Sequence, residues 1–104
     1  MVNKIRLLDE IKSSFCYIFN YLEEVEGFKF EECIRHFNII QDLIGGFGIK
    51  YLDKIIEFKN EFMKQDEMKN AKLYCDVLDF YYDFFSEINK EINKQMESEL
   101  NVKR

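Results

Sequence analysis

Apolar residues recur every three or four positions along almost the whole chain, in stripes of helical spacing that are interrupted at only a few places. Leu8, Ile11, Phe15, Ile18, Leu22 and Val25 alternate by three and four, a seven-residue repeat that lines all six along one face of a helix. Phe19 widens that face, while Lys12, Asn20, Glu23 and Glu24 lie away from it, and the helix is expected to end near Gly27. A second stripe, Phe30, Ile34, Phe37, Ile40 and Ile44, flanked by Cys33 and Leu43, predicts a helix from about Lys29 to Ile44, with Glu31 and Glu32 at its positive end. The third runs from Ile49 to about Lys64 and turns Leu52, Ile55, Ile56, Phe62 and Met63 inward. The last carries Leu73, Val77, Leu78, Tyr81, Phe84, Phe85, Ile88 and Ile92, and trails through Met96 into a polar end at Asn101 to Arg104 that is expected to fray or overhang.

The breakers between these stripes are few. The chain has four glycines and no proline. Gly45, Gly46 and Gly48 surround Phe47, an expected inward anchor, and the apolar stripe nearly continues from Ile44 through Phe47 to Leu52, so the segment reads either as a turn or as a kink. Between Lys64 and Asn70 there is neither glycine nor proline. An unbroken helix from Ile49 to Glu99 would nevertheless be about 75 Å long, too long for so small a domain to pack against. Asp66 is the expected N-cap after that break. The pattern therefore predicts a single all-α domain over 1–104, an antiparallel up-down bundle of four helices. The alternative is three helices with a kinked middle helix at Gly45–Gly48.

Composition adds bulk to that core and excludes some partners. Eleven Phe and six Tyr in 104 residues, with no Trp, predict a wide core filled by rings. A net charge of -5, with lysines scattered among acidic residues, argues against nucleic acid and against an anionic membrane surface. The first residues reach acidic positions before any long apolar run, and no later stretch approaches a membrane-spanning length. The expected location is the cytoplasm.

Candidate chemistry is sparse. Cys16, Cys33 and Cys75 are widely spaced and lie in helical stretches beside apolar neighbours, which reads as three buried thiols. The one histidine, His36, follows Glu32 by four residues, a spacing that suits a surface ion pair and not the Glu-x-x-His repeat of di-iron bundles. Ser13, Ser14, Ser86 and Ser98 do not sit in strained glycine-flanked turns, and the GGFG segment lacks the strand and Lys-Ser/Thr of a phosphate loop. Neither a metal, nor a cofactor, nor a catalytic residue is expected.

Two surface features suit a protein partner. Asp76, Asp79, Asp83 and Glu87 stack along one stripe of the last helix, either as an ordinary solvated face or as an acidic ridge for a basic helix, with Tyr82 beside it as a ring that can anchor an interface. Tyr17 and Tyr21, four residues apart on the flank of the first helix, either cover the edge of the core or form a second aromatic ridge.

The segments NIIQDLIGGFGIKYLDKIIEF and AKLYCDVLDFYYDFFSEINKEI together resemble small uncharacterised helical proteins of low-GC Gram-positive bacteria. The likeness rests on Asp42 and Gly45, in an apolar helix with an acidic residue before an internal glycine, and on Asp76, Leu78 and Asp79 in the helix that follows. The proline usual in the last helix of that group is absent here. The resemblance implies an all-helical bundle and nothing about catalysis. Partly by exclusion, the expected function is a non-enzymatic interaction module, an adaptor, chaperone-like or small regulatory protein, acting on a protein partner or on a second copy as a homodimer. The alternatives are an immunity or antitoxin protein that neutralises a basic partner and, from another class, a metal-binding or enzymatic bundle.

Overall fold

A computed structural model describes the backbone of residues 4–102 and the side chains of residues 4–66 and 68–94. Four helices follow one another: α1 (Lys4–Leu22), α2 (Phe30–Ile44), α3 (Ile49–Met63) and α4 (Asn70–Val102). Each packs against its neighbours in the order α1, α2, α3, α4 and back to α1. Ring contacts fix the directions. Phe30 at the start of α2 stacks on Phe62 near the end of α3 at 4.8 Å, and Tyr51 at the start of α3 meets Phe84 of α4 at 4.8 Å. In α1, Phe15 contacts Phe85 while Phe19 contacts Tyr74. Successive helices are therefore antiparallel, and the up-down four-helix bundle is the fold.

The glycine segment is a turn, not a kink. Gly45–Phe47 forms one 3-10 turn, and Gly48 then adopts φ 149°, ψ 140° before α3 begins. That φ lies where a side chain is strained. A Cβ at Gly48 would also sit 3.3 Å from the ring of Tyr51, so the reversal depends on glycine at this position. Phe47 is half-buried and meets Phe84 edge-on at 5.6 Å, as an anchor between the turn and α4.

Gly27 is not where α1 stops. The helix ends at Leu22, and Glu24 takes a left-handed conformation with φ 62°. Its N–H donates to the carbonyl of Tyr21 and the N–H of Val25 to that of Asn20, the paired bonds that close a helix C-terminus. Val25 is therefore carried out of the stripe and is 45% exposed. A left-handed residue also ends α3, at Gln65 with φ 54°, and leaves Met63 exposed where its spacing placed it inward. Asp66 caps as expected, accepting from the N–H of Met68 at 3.1 Å, but the element it caps is a short 3-10 turn ahead of α4.

The core runs the length of the bundle. Ile11, Phe15 and Ile18 of α1, Cys33, Phe37, Ile40 and Ile44 of α2, Ile55 of α3, and Val77 and Phe84 of α4 are fully buried. Truncating a phenylalanine such as Phe15, Phe37 or Phe84 to alanine would cost about 3–5 kcal/mol. Tyr51 and Phe58, which lie outside the stripe read from the sequence, also enter the core. The 33 residues of α4 span about 50 Å against about 28 Å for the 19 of α1, which makes the molecule elongated at 56 × 22 × 21 Å. Met96 lies outside the described side chains, as do Asn101 and Val102, and residues 103–104 lie outside the described backbone. Among the described residues no helix is long and apolar enough to cross a membrane.

Candidate interaction surface

The acidic stripe of α4 is present as a surface, but its four members are not equivalent. Asp76, Asp79, Asp83 and Glu87 are all exposed. Glu87, on the edge next to α3, accepts a hydrogen bond from the phenol of Tyr51 and pairs with Lys50 at 3.4 Å. The Tyr51 bond first, and the Lys50 charge second, hold its carboxyl below the usual range. Asp76, Asp79 and Asp83 have no ion-pair partner among the described residues. Elsewhere Glu32, Glu57, Glu61 and Asp66 are each matched to a cation of their own helix or turn.

On the other edge of the stripe, facing α1, the structure builds a seam of rings. Phe15 and Phe19 of α1 meet Tyr81 edge-on at 5.3 and 5.5 Å, Phe85 lies 4.7 Å from Tyr81, and Tyr74 donates to Glu23, just past the end of α1, at 2.5 Å. Tyr82 stands at the rim of this seam, 63% exposed, with its ring at 82° to that of Tyr81. Beside it an open groove is lined by the rings of Tyr81, Tyr82 and Phe85 together with the polar Ser86, Asn89 and Asn93 and the cations Lys12 and Lys90. Helical periodicity predicts Tyr82 beside the carboxylates; the groove behind it takes Lys12 from α1, which only the pairing of α1 with α4 brings there.

Tyr17 and Tyr21 lie elsewhere. They occupy the flank of α1 that meets α2 and are half-buried, so they are not joined to the α4 stripe. Tyr17 packs on Phe28 at 4.7 Å and stacks on His36 at 4.4 Å, and its hydroxyl accepts the N–H of Lys29 at 3.1 Å. Tyr21 packs on Phe30 and Phe62. Both cover the edge of the core.

His36 is not paired with Glu32. That carboxylate binds Arg35 at 2.9 Å, and His36 Nδ1 instead shares a hydrogen bond with Ser14 Oγ at 3.0 Å. Ser14 is buried, so the bond satisfies a polar group inside the α1–α2 interface. Desolvation first, and Arg35 second, lower the imidazole below its ordinary value of 6.5. Among the described residues no group of three or more His, Cys, Asp or Glu is placed to hold a metal ion.

The cysteines also divide. Cys33 is buried among apolar groups, and burial pushes its thiol up to about 12. Cys16 and Cys75 are exposed, which corrects the expectation of three buried thiols: each sits on the solvent side of its helix, one step off the apolar face. Burial first, and Cys16 second, push the phenol of Tyr81 up.

No family model, curated protein or solved structure matches the chain.

Proposed function

We propose that this chain is a non-enzymatic protein-interaction module, of the adaptor, chaperone-like or small regulatory kind, that works in the cytoplasm and docks its partner on the outer face of α4. The observation that carries this reading is Tyr82, a ring 63% exposed between a groove that holds Tyr81 and Phe85 and three carboxylates without ion-pair partners among the described residues. Exposed tyrosines beside a ring-lined groove supply large contact area at small cost in rotamer freedom, and unpaired charges at the rim choose and orient the partner. The partner's chemistry follows: cationic side chains to meet Asp76, Asp79 and Asp83, and an apolar or aromatic group for the groove. The net charge of -5 and the same unpaired carboxylates favour, as a second reading, an immunity or antitoxin protein that neutralises a basic partner.

Native capture from the source cell tests the module. A partner retained by the wild type and by a Met68→Ala control, but lost from Tyr82→Ala and from Asp79→Asn, supports docking on α4. Retention that ignores both α4 substitutions would overturn it.

A further inference from the structure

The groove between α1 and α4 runs against the charge of the chain. The protein carries 20 acidic residues against 15 basic ones. Three other clefts are each lined by at least one carboxylate, among them Glu57, Asp9 and Glu31. The α1–α4 groove, about 540 Å³, is lined by no carboxylate and by two lysines, Lys12 from α1 and Lys90 from α4. Both are exposed, and neither belongs to the ion pairs of the described residues, whose cations are Arg35, Lys50, Lys54, Lys64 and Lys69. The carboxylates nearest to them in sequence are turned elsewhere. Asp9, three residues before Lys12, lines the cleft between α1 and α2. Glu87, three before Lys90, is held by Tyr51 and Lys50, and Glu91 follows Lys90 directly, a spacing at which helix side chains do not face each other.

The rest of the lining fits an extended peptide. Ser86, Asn89 and Asn93 recur by three and four along the α4 side of the groove. Their hydroxyl and amide groups both donate and accept, as a peptide backbone does. From Tyr81 to Asn93 the lining extends about 18 Å along the helix, the reach of five or six residues of extended chain. The rings of Tyr81, Tyr82 and Phe85 seat an aromatic side chain at one end. Lys90 lies five residues beyond Phe85, about 7.5 Å along the axis, and two steps of an extended chain cover about 7 Å while returning to the same face.

We propose that the occupant of the groove is an extended segment of the protein partner that carries an aromatic residue and, two positions away, an acidic one. Its ring lies on Tyr81, Tyr82 and Phe85, and its carboxylate lies between Lys12 and Lys90. The proposal rests on the reading of the α4 face as a docking surface and sharpens the partner's chemistry: the protein that offers cations to Asp76, Asp79 and Asp83 also sets one acid beside them. A uniformly basic partner would instead bring like charge against the two lysines.

Titration of the isotope-labelled protein with short capped peptides at low ionic strength, followed by NMR shifts, tests it. The probes are Gly-Phe-Ser-Glu-Gly and the same peptide with Gln for Glu or Ala for Phe. The first is expected to bind at least about fivefold more tightly than either of the others and to move the side-chain amide signals of Asn89 and Asn93. The variant Lys12→Gln with Lys90→Gln, its folding checked by circular dichroism, is expected to bind the Glu and Gln probes equally. Equal affinity of the wild type for those two probes, a Glu preference that survives the lysine replacements, or shifts confined to other faces each overturns the occupant. So does tighter binding of phenylpropionate, a compact aromatic acid, than of the peptide. A partner lost from Tyr82→Ala in native capture but retained by the lysine variant would overturn the acidic contact and leave the docking face standing; one that ignores Tyr82→Ala and Asp79→Asn overturns the face itself.

Discussion

The phenol of Tyr51 on α3 donates a hydrogen bond to the carboxylate of Glu87 on α4, and Lys50 closes the group by lying 3.4 Å from that carboxylate and 4.9 Å from the centre of the Tyr51 ring. The ring of Tyr51 is in the core while its hydroxyl reaches the surface, so one residue joins the packing of α3 on α4 to a polar clasp at the edge. The clasp also withdraws Glu87 from the acidic stripe.

A pH dependence follows from this clasp. The carboxyl of Glu87 is held below its ordinary value of 4.5, so its contribution to stability is present above that value and is lost as pH falls through the lower folded one. Tyr51→Phe keeps the ring and removes the donor. Its stability at pH 8, where the carboxylate is charged, is expected to fall below that of the wild type, and its acid-unfolding midpoint, followed by circular dichroism, to move to higher pH. An unchanged midpoint would show that the bond contributes nothing.

The end of α1 predicts a stabilising change. Glu24 holds φ 62°, a conformation costing a side-chain-bearing residue about 1–2 kcal/mol that glycine adopts freely. After allowing for the greater chain entropy of glycine when unfolded, Glu24→Gly is expected to raise stability by about 0.5–1 kcal/mol in urea denaturation. Destabilisation would place the end of α1 elsewhere.

The turn between α2 and α3 predicts an asymmetry among its glycines. Gly48→Ala meets both a positive φ and the Tyr51 ring and is expected to cost about 2–3 kcal/mol. At Gly46 a Cβ finds nothing within 4 Å, so Gly46→Ala is expected to be neutral or to stabilise by up to about 1 kcal/mol. Thermal unfolding of the two variants checks the contrast, and equal losses would contradict the turn geometry.

The thiols predict a labelling pattern. In dilute native protein Cys16 and Cys75 are expected to react promptly with a maleimide, while Cys33, buried and protonated, reacts only on unfolding. Mass spectrometry of the labelled peptides reads the difference directly. Rapid labelling of Cys33 would contradict the packing of α2.

Much of the helical framework was legible because a stripe needs only spacing: Leu8, Ile11, Phe15 and Ile18 repeat by three and four and are buried as a set. Helix ends were less legible. Glu24 and Gln65 terminate helices in a conformation associated with glycine, and nothing about a lone Glu or Gln announces it. Tertiary choices were hidden for a different reason. His36 turned to Ser14 and not to Glu32 because α1 lies against α2, and Glu87 left its stripe because Tyr51 stands across from it, and neither contact is encoded within one helix. The acidic stripe and Tyr82 were legible as a surface, whereas the groove beside them required the pairing of α1 with α4.

Carboxylate footprinting of the dilute protein and of its complexes tests the docking face most directly. Asp76, Asp79 and Asp83 are expected to lose reactivity on binding while exposed Asp42 on α2 and Asp53 on α3 keep theirs. Protection of Asp42 or Asp53, with the three α4 carboxylates unchanged, would contradict the account.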